Sequence, residues 1–183
     1  MSSINEKINP LLTIKETECA CSRCQAMCKR PCFGTPEDIE KLIEAGYGNR
    51  LCVDWHCGLD KYANITILAP ALKGHEGKKA PLFPMSDEGC TFFKEGKCEL
   101  HDKKLKPTQG RLAHHSYKPT ENEPIGGMIG ANCSEAWKSD KGKALVEKWA
   151  ANHEINTERE GDAGALVEFL VAAFGAGGRG RDR

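Results

Sequence analysis

Several things that would define a function are missing from this sequence. The 183 residues carry 26 acidic and 26 basic side chains, a formal charge of zero, so there is no global positive field to hold nucleic acid or anionic lipid. A general polyanion binder is excluded as the first reading, and nucleic acid is not an expected partner. No apolar run approaches the roughly 20 residues needed to cross a bilayer, so no membrane span is expected. The opening stretch MSSINEKINPLLTIKETE has neither the basic segment nor the long apolar segment of an export signal. The chain is therefore expected in the cytoplasm with its thiols reduced. No glycine-rich phosphate loop follows a strand and no G-x-S-x-G elbow occurs. P-I-G-G-M-I-G around Gly126 and Gly127 lacks the strand–turn–helix context of a nucleotide site and reads as a turn.

Cysteine is abundant. The chain has ten, and five of them, Cys19, Cys21, Cys24, Cys28 and Cys32, fall within fourteen residues. Reduced thiols crowded this closely bind metal more often than they pack as isolated core residues, which sit in apolar surroundings.

The expected organisation places an N-terminal arm at 1–18, a cysteine-cluster domain at 19–133, a helical segment at 134–174 and a disordered Gly/Arg tail at 175–183. Immediately after the cysteine-rich loop, T-P-E-D-I-E-K-L-I-E-A-G predicts a helix. Thr35 is the cap, Pro36 takes the first turn, Asp38 completes a capping box, and Ile39, Leu42 and Ile43 form one stripe. Between about 50 and 85 the reading is one strand, N-I-T-I-L-A closed by Pro70, with irregular chain around it. G-C-T-F-F-K-E-G-K-C-E-L-H predicts a hairpin turning at Lys94-Glu95-Gly96-Lys97, which brings Cys90 near Cys98. Residues 134–152, with Gly142 as a break, and 162–174 read as helices. The fold class expected is α+β: a small, loop-rich, metal-stabilised domain with short β-hairpins, followed by a helical C-terminal segment.

Four soft ligands, two from a tight loop and two from a hairpin, make the set that Zn²⁺ or an iron–sulfur cluster requires. Cys21-x2-Cys24 is the specific pair, and Cys90 with Cys98 supplies the second.

The order and flanks of these residues resemble the YkgJ-type cysteine-cluster family, described as zinc- or iron-chelating domains with a CxxCxxCC signature and a following T-x-E-D-I helix start. C-S-R-C-Q-A-M-C supplies Cys21, Cys24 and Cys28, with Met27 where the family has the first cysteine of its CC pair. G-C-T-F-F-K-E-G-K-C-E-L is similar to the family hairpin. K-P-T-Q-G-R resembles the next block, with Gly110 in place of its cysteine, and Cys133 in A-N-C-S-E looks like the late cysteine. The resemblance spans about 19–133 and lacks two of the family's cysteines.

The main ligand pool is thus Cys21, Cys24, Cys28, Cys90 and Cys98. Cys19, Cys32, Cys52, Cys57, Cys133, His101 and His114 are further candidates. Cys52 and Cys57, in L-C-V-D-W-H-C-G, can equally be core thiols beside Trp55; His115 competes with His114, and His56, His75 and His153 read as surface or hydrogen-bonded residues. Spacing does not choose between zinc and iron–sulfur, nor between one site and two. The first functional reading is a metal-binding protein. The alternatives are a cluster-dependent enzyme of redox or methyl-transfer type, a dithiol redox protein without the βαβ context of a thioredoxin site, and an adaptor with a structural metal that offers its C-terminal helices to a protein partner.

Overall fold

Capping and turn chemistry set the order of the elements, which a computed structural model describes for residues 21–57, 64–81, 87–113 and 125–158. The expected arm, the second C-terminal helix at 162–174, the Gly/Arg tail, Cys19 and His114 lie outside the described residues. Helix α1 is Ser22–Met27 and α2 is Pro36–Glu44. A short 3-10 turn, Gly48–Arg50, leads into strand β1, Leu51–Cys57, which pairs antiparallel with β2, Asn64–Pro70. A second two-stranded sheet is the hairpin of β3, Phe93–Lys94, and β4, Lys97–Cys98. Helices α3 (Thr108–Leu112), α4 (Ile125–Glu135) and α5 (Asp140–Asn152) follow, the last two joined by a 3-10 turn at Ala136–Lys138. The class is α+β with two small antiparallel sheets.

Helix α2 begins as its sequence dictates. The Thr35 hydroxyl accepts from the Asp38 N–H, the Asp38 carboxylate accepts from the Thr35 N–H, and Pro36 occupies the first turn. Its stripe buries Ile39 and Leu42 against Leu51 and Val53 of β1, Ile67 and Leu68 of β2, and Trp137, Val146 and Trp149 from the C-terminal helices. Each fully buried Ile, Leu or Val side chain here contributes roughly 1.5–3 kcal/mol. Two indoles also pin loops: Trp137 Nε1 donates to the Gly34 carbonyl and Trp149 Nε1 to that of Gly48, each at 2.9 Å.

Three expectations are corrected. The region from 50 to 85 contains two strands, because Leu51–Cys57 pairs along its whole length with β2 from Leu51↔Pro70 to Cys57↔Asn64. Leu51, Cys52, Val53 and Asp54 are all buried, so β1 is covered on both faces and lacks the in–out alternation that announces a strand. Its free edge is taken by residues 78–80: Val53 N donates to Lys78 O and Ala80 N to Val53 O. Gly126 and Gly127 lie inside α4 rather than in a turn. Gly142 does not break a helix; it sits in the first turn of α5 under the Ser139 cap. A Cβ there would stand 2.8 Å from the Trp137 backbone, so glycine is what lets α5 start against that turn. Helix α4 also carries the chain without interruption across positions 133 and 134.

Candidate metal centre

The first wall of the site is α1 and the chain after it. The stretch expected as a loop forms a six-residue helix, with Gln25, Ala26 and Met27 as good helix formers and no Gly or Pro before Pro31. Cys21 is its N-cap in extended conformation, Cys24 lies within it, and Cys28 is the C-cap. Cys24 and Cys28, four residues apart, share one face. Cys32 follows in the irregular chain that leads to Thr35.

The hairpin forms the second wall. The Cys90 N–H donates to the Cys28 carbonyl at 2.7 Å, tying the two cysteine segments by their backbones. Gly89 makes that approach possible. Its φ is +79°, and a Cβ would lie 2.9 Å from the Cys28 oxygen. The turn is tighter than expected, with Lys94 and Lys97 inside the strands and Glu95 and Gly96 at φ 49° and 79°, the left-handed values a two-residue hairpin demands. Arg50 anchors the hairpin to the start of β1. Its guanidinium lies 3.9 Å over the Phe92 ring, pairs with Glu99, and donates to the Thr91 carbonyl and hydroxyl.

Helix α3 and the residues before it close the third side through a double clamp. Gln109 N donates to the Phe33 carbonyl at 3.0 Å, and Phe33 N donates to Gln109 Oε1 at 2.9 Å. Asp38 Oδ2 accepts from Thr108 N at 2.9 Å as well as from Thr35 N, and Arg111 stands 3.8 Å from its other oxygen. These bonds press Gly110 against Cys32. A Cβ on residue 110 would fall 2.6 Å from the Cys32 sulfur, so no larger residue fits without displacing that thiol.

Between the three walls lies a cavity of about 440 Å³ lined by Cys24, Cys28, Cys32, Cys90 and Cys98, with His101, Lys106, Phe92, Phe93 and Met27 among the other lining residues. Cys28, Cys32, Cys90 and Cys98 lie within electrostatic reach of one another: ionisation of Cys32 is opposed by the other three, that of Cys90 by Cys98 and Cys28, and that of Cys28 by Cys98. Burial is the larger cause. It pushes the Cys90 thiol up to about 12, Cys32 well above the ordinary thiol value, and Cys28 and Cys98 upward. Cys32 sits deep in the protein and still keeps an accessible face, because that face is cavity wall. A helix start such as that of α2 favours a nearby thiolate, but at Cys32 burial outweighs it.

Opposing influences favour the thiolate. Lys106 draws the Cys28, Cys32 and Cys98 thiols downward. The Phe92 N–H donates to the Cys90 sulfur at 3.5 Å, and backbone N–H groups of Leu100 and His101 donate to that of Cys98. Each hairpin thiol thus accepts an amide from the residue two positions on. Among the described residues, no three His, Cys, Asp or Glu side chains stand ready-gathered around one point at metal spacing; the sulfurs surround a volume.

The other sequence candidates are placed as follows. Cys21 is outside the described lining, whereas Cys32 and His101 are part of it. Cys52 is buried in β1, its thiol raised by burial and then by Asp54 and Cys90. Cys57 ends the backbone of β1. Cys133 belongs to a separate cluster with Leu112, Ala113 and Ile129, and burial pushes its thiol to about 12. His56 Nδ1 lies 3.0 Å from Ser134 Oγ, and its ring packs on Phe33 at 4.3 Å. His153 stacks on Trp149 and bonds its carbonyl. Lys106 and Gln109 carry no sequence signal beyond their place in K-P-T-Q-G-R, the block that resembles the family segment at Gly110. No protein-family model, curated protein or solved structure matches this chain.

Proposed function

We propose that the chain is a metal-binding protein that holds Zn²⁺ or an iron–sulfur cluster through Cys28, Cys32, Cys90 and Cys98, with Cys24 and His101 as further ligands at the same cavity. The observation that carries this reading is the convergence of four thiols, from two segments about sixty residues apart, on one cavity in which Cys32 feels the other three. Four neutral thiols around a cavity give the fold little; four thiolates around a cation exchange mutual repulsion for attraction to the ion. The amides aimed at Cys90 and Cys98 and the ammonium of Lys106 favour the charged form that ligation needs. Metal binding is then part of the folding free energy of this half of the molecule.

The resemblance to YkgJ-type proteins fits the same reading. At position 110, where that family has a cysteine, this chain has glycine, and the Cys32 sulfur fills the adjoining space. Such a centre requires reduced thiols, and we assign the chain to the cytoplasm on that ground. No helix among the described residues is long and apolar enough to cross a membrane.

The test is elemental analysis and a visible spectrum of protein purified without oxygen. Stoichiometric zinc in a colourless sample, or iron with sulfide and absorbance near 400 nm, is expected, together with loss of the metal in Cys28→Ser and Cys90→Ser. Zinc and iron both far below one equivalent would overturn the reading.

A further inference from the structure

The geometry points to a second use of the cavity: a binding site for a small organic monocarboxylate with an apolar body, its carboxylate on the Lys106 ammonium and its body against Phe92, Phe93 and Met27. The volume motivates this first. About 440 Å³ is more room than one sulfur-bound ion needs and falls in the range of small-molecule pockets.

Charge is the second observation. The described lining residues include the cations Arg30, Lys97 and Lys106, with the exposed Asp102 as the one carboxylate among them. Lys106 is half-buried, and its stem runs past Gly110, where a Cβ would meet its Cε at 3.2 Å and its Cγ at 3.3 Å. Among the described residues it forms no ion pair, although the nearby lysines do: Lys94 reaches Glu99 and Lys29 reaches Asp87. It stands on the cavity wall with Cys28, Cys32 and Cys98 rather than beside a carboxylate partner.

The shape of the lining is the third. Aromatic and thioether side chains together with one half-buried cation match one negative charge on an apolar frame; Arg30 and Lys97, the other cations of the lining, are exposed. This inference uses the same cavity as the metal reading, but it rests on Lys106 and the apolar wall and not on a bound metal.

The full chain, with its metal content measured on the same sample, is titrated with benzoate, butyrate, benzamide and orthophosphate while backbone amide shifts are followed. Benzoate and butyrate are expected to move Cys32, Phe93 and Gly110 with saturable binding, and benzamide and orthophosphate to bind at least tenfold more weakly. Lys106→Met is expected to weaken benzoate at least tenfold, and Lys106→Arg, which keeps the charge, to bind within about threefold of the parent. Lys148→Met, on the exposed face of α5, is the unchanged control. The site is refuted if benzoate does not bind, if benzamide or orthophosphate binds equally well, or if Lys106→Met binds like the parent. A sample without metal that still takes benzoate counts against the metal centre alone; a metal-loaded sample indifferent to benzoate counts against this site alone.

Discussion

The hydrophobic core and the thiol cavity lie side by side in this molecule and are held by different forces. In the core, Ile39, Leu42, Leu51, Val53, Ile67, Leu68 and Trp137 are almost wholly shielded, and shape-matched apolar contact does the holding. Around the cavity, directional bonds do it: Cys90 N to Cys28 O, the paired bonds of Gln109 with Phe33, the double acceptance by Asp38, and the Arg50 guanidinium across the hairpin. Two glycines, Gly89 and Gly110, allow backbone or sulfur to approach where any side chain would intrude. The core is thus filled by its own side chains, whereas the cavity is a frame of directional bonds around open volume.

That contrast can be broken at either end. The largest effect is expected from Trp137→Ala, which removes a buried indole and its bond to Gly34. A loss of about 3–5 kcal/mol in urea unfolding is expected, whether or not metal is present. A loss that vanishes in the metal-loaded protein would show the two regions to be one cooperative unit.

At the cavity, Cys32→Ala is expected to leave the circular dichroism of the metal-free chain unchanged and to weaken metal binding at least a hundredfold, by about 2.7 kcal/mol. Gly110→Cys alone is expected to disturb the site, because its Cβ would stand 2.6 Å from the Cys32 sulfur. Combined with Cys32→Ala, it is expected to restore metal binding to within about tenfold, since the new thiol enters the vacated space. Failure of that rescue in a folded double variant would remove Cys32 from the ligand set.

Arg50→Met keeps the stem packed on Phe92 and removes the charge and its bonds. It is expected to cost about 2 kcal/mol and to loosen the hairpin specifically, read as faster amide exchange from Thr91 to Cys98 with β1 and β2 still protected. Uniform loss of protection would mean that Arg50 supports the core as well.

The effect confined to the narrowest conditions is a pH dependence of the metal-free chain. Burial raises Cys133 to about 12 in the fold against an ordinary value of 9.0, so the unfolded chain loses that proton first. The stabilisation is whole below pH 9 and is lost as pH rises from about 9 to about 12, with a limiting slope of about 1.4 kcal/mol per pH unit for one such group. Cys133→Ala is expected to flatten the slope in that window and to leave it unchanged below pH 8. An identical slope in the variant would assign it to the other buried thiols.

Legibility in the sequence followed the range of the interactions. The capping box at Thr35 and Asp38 is readable because it is complete within four residues, and the hairpin because its turn is dictated by Glu95 and Gly96. Strand β1 was hidden because partners on both faces and on its far edge, residues 78–80, bury polar and apolar positions alike. Gly142 looked like a break because nothing near it in the chain announces that the Trp137 backbone will press against it.

The sequence by itself determined that sulfur chemistry lies near residues 21–32 and 90–98, since local spacing and composition carry that much. Only the tertiary structure decided which sulfurs meet. It brought Cys32 into the set beside Cys28, Cys90 and Cys98, put Cys133 in another cluster, and set Lys106 on the cavity wall. The reason is physical: whether two thiols feel each other depends on distance and burial, and both are fixed here by clamps, such as Gln109 to Phe33, between residues more than seventy positions apart.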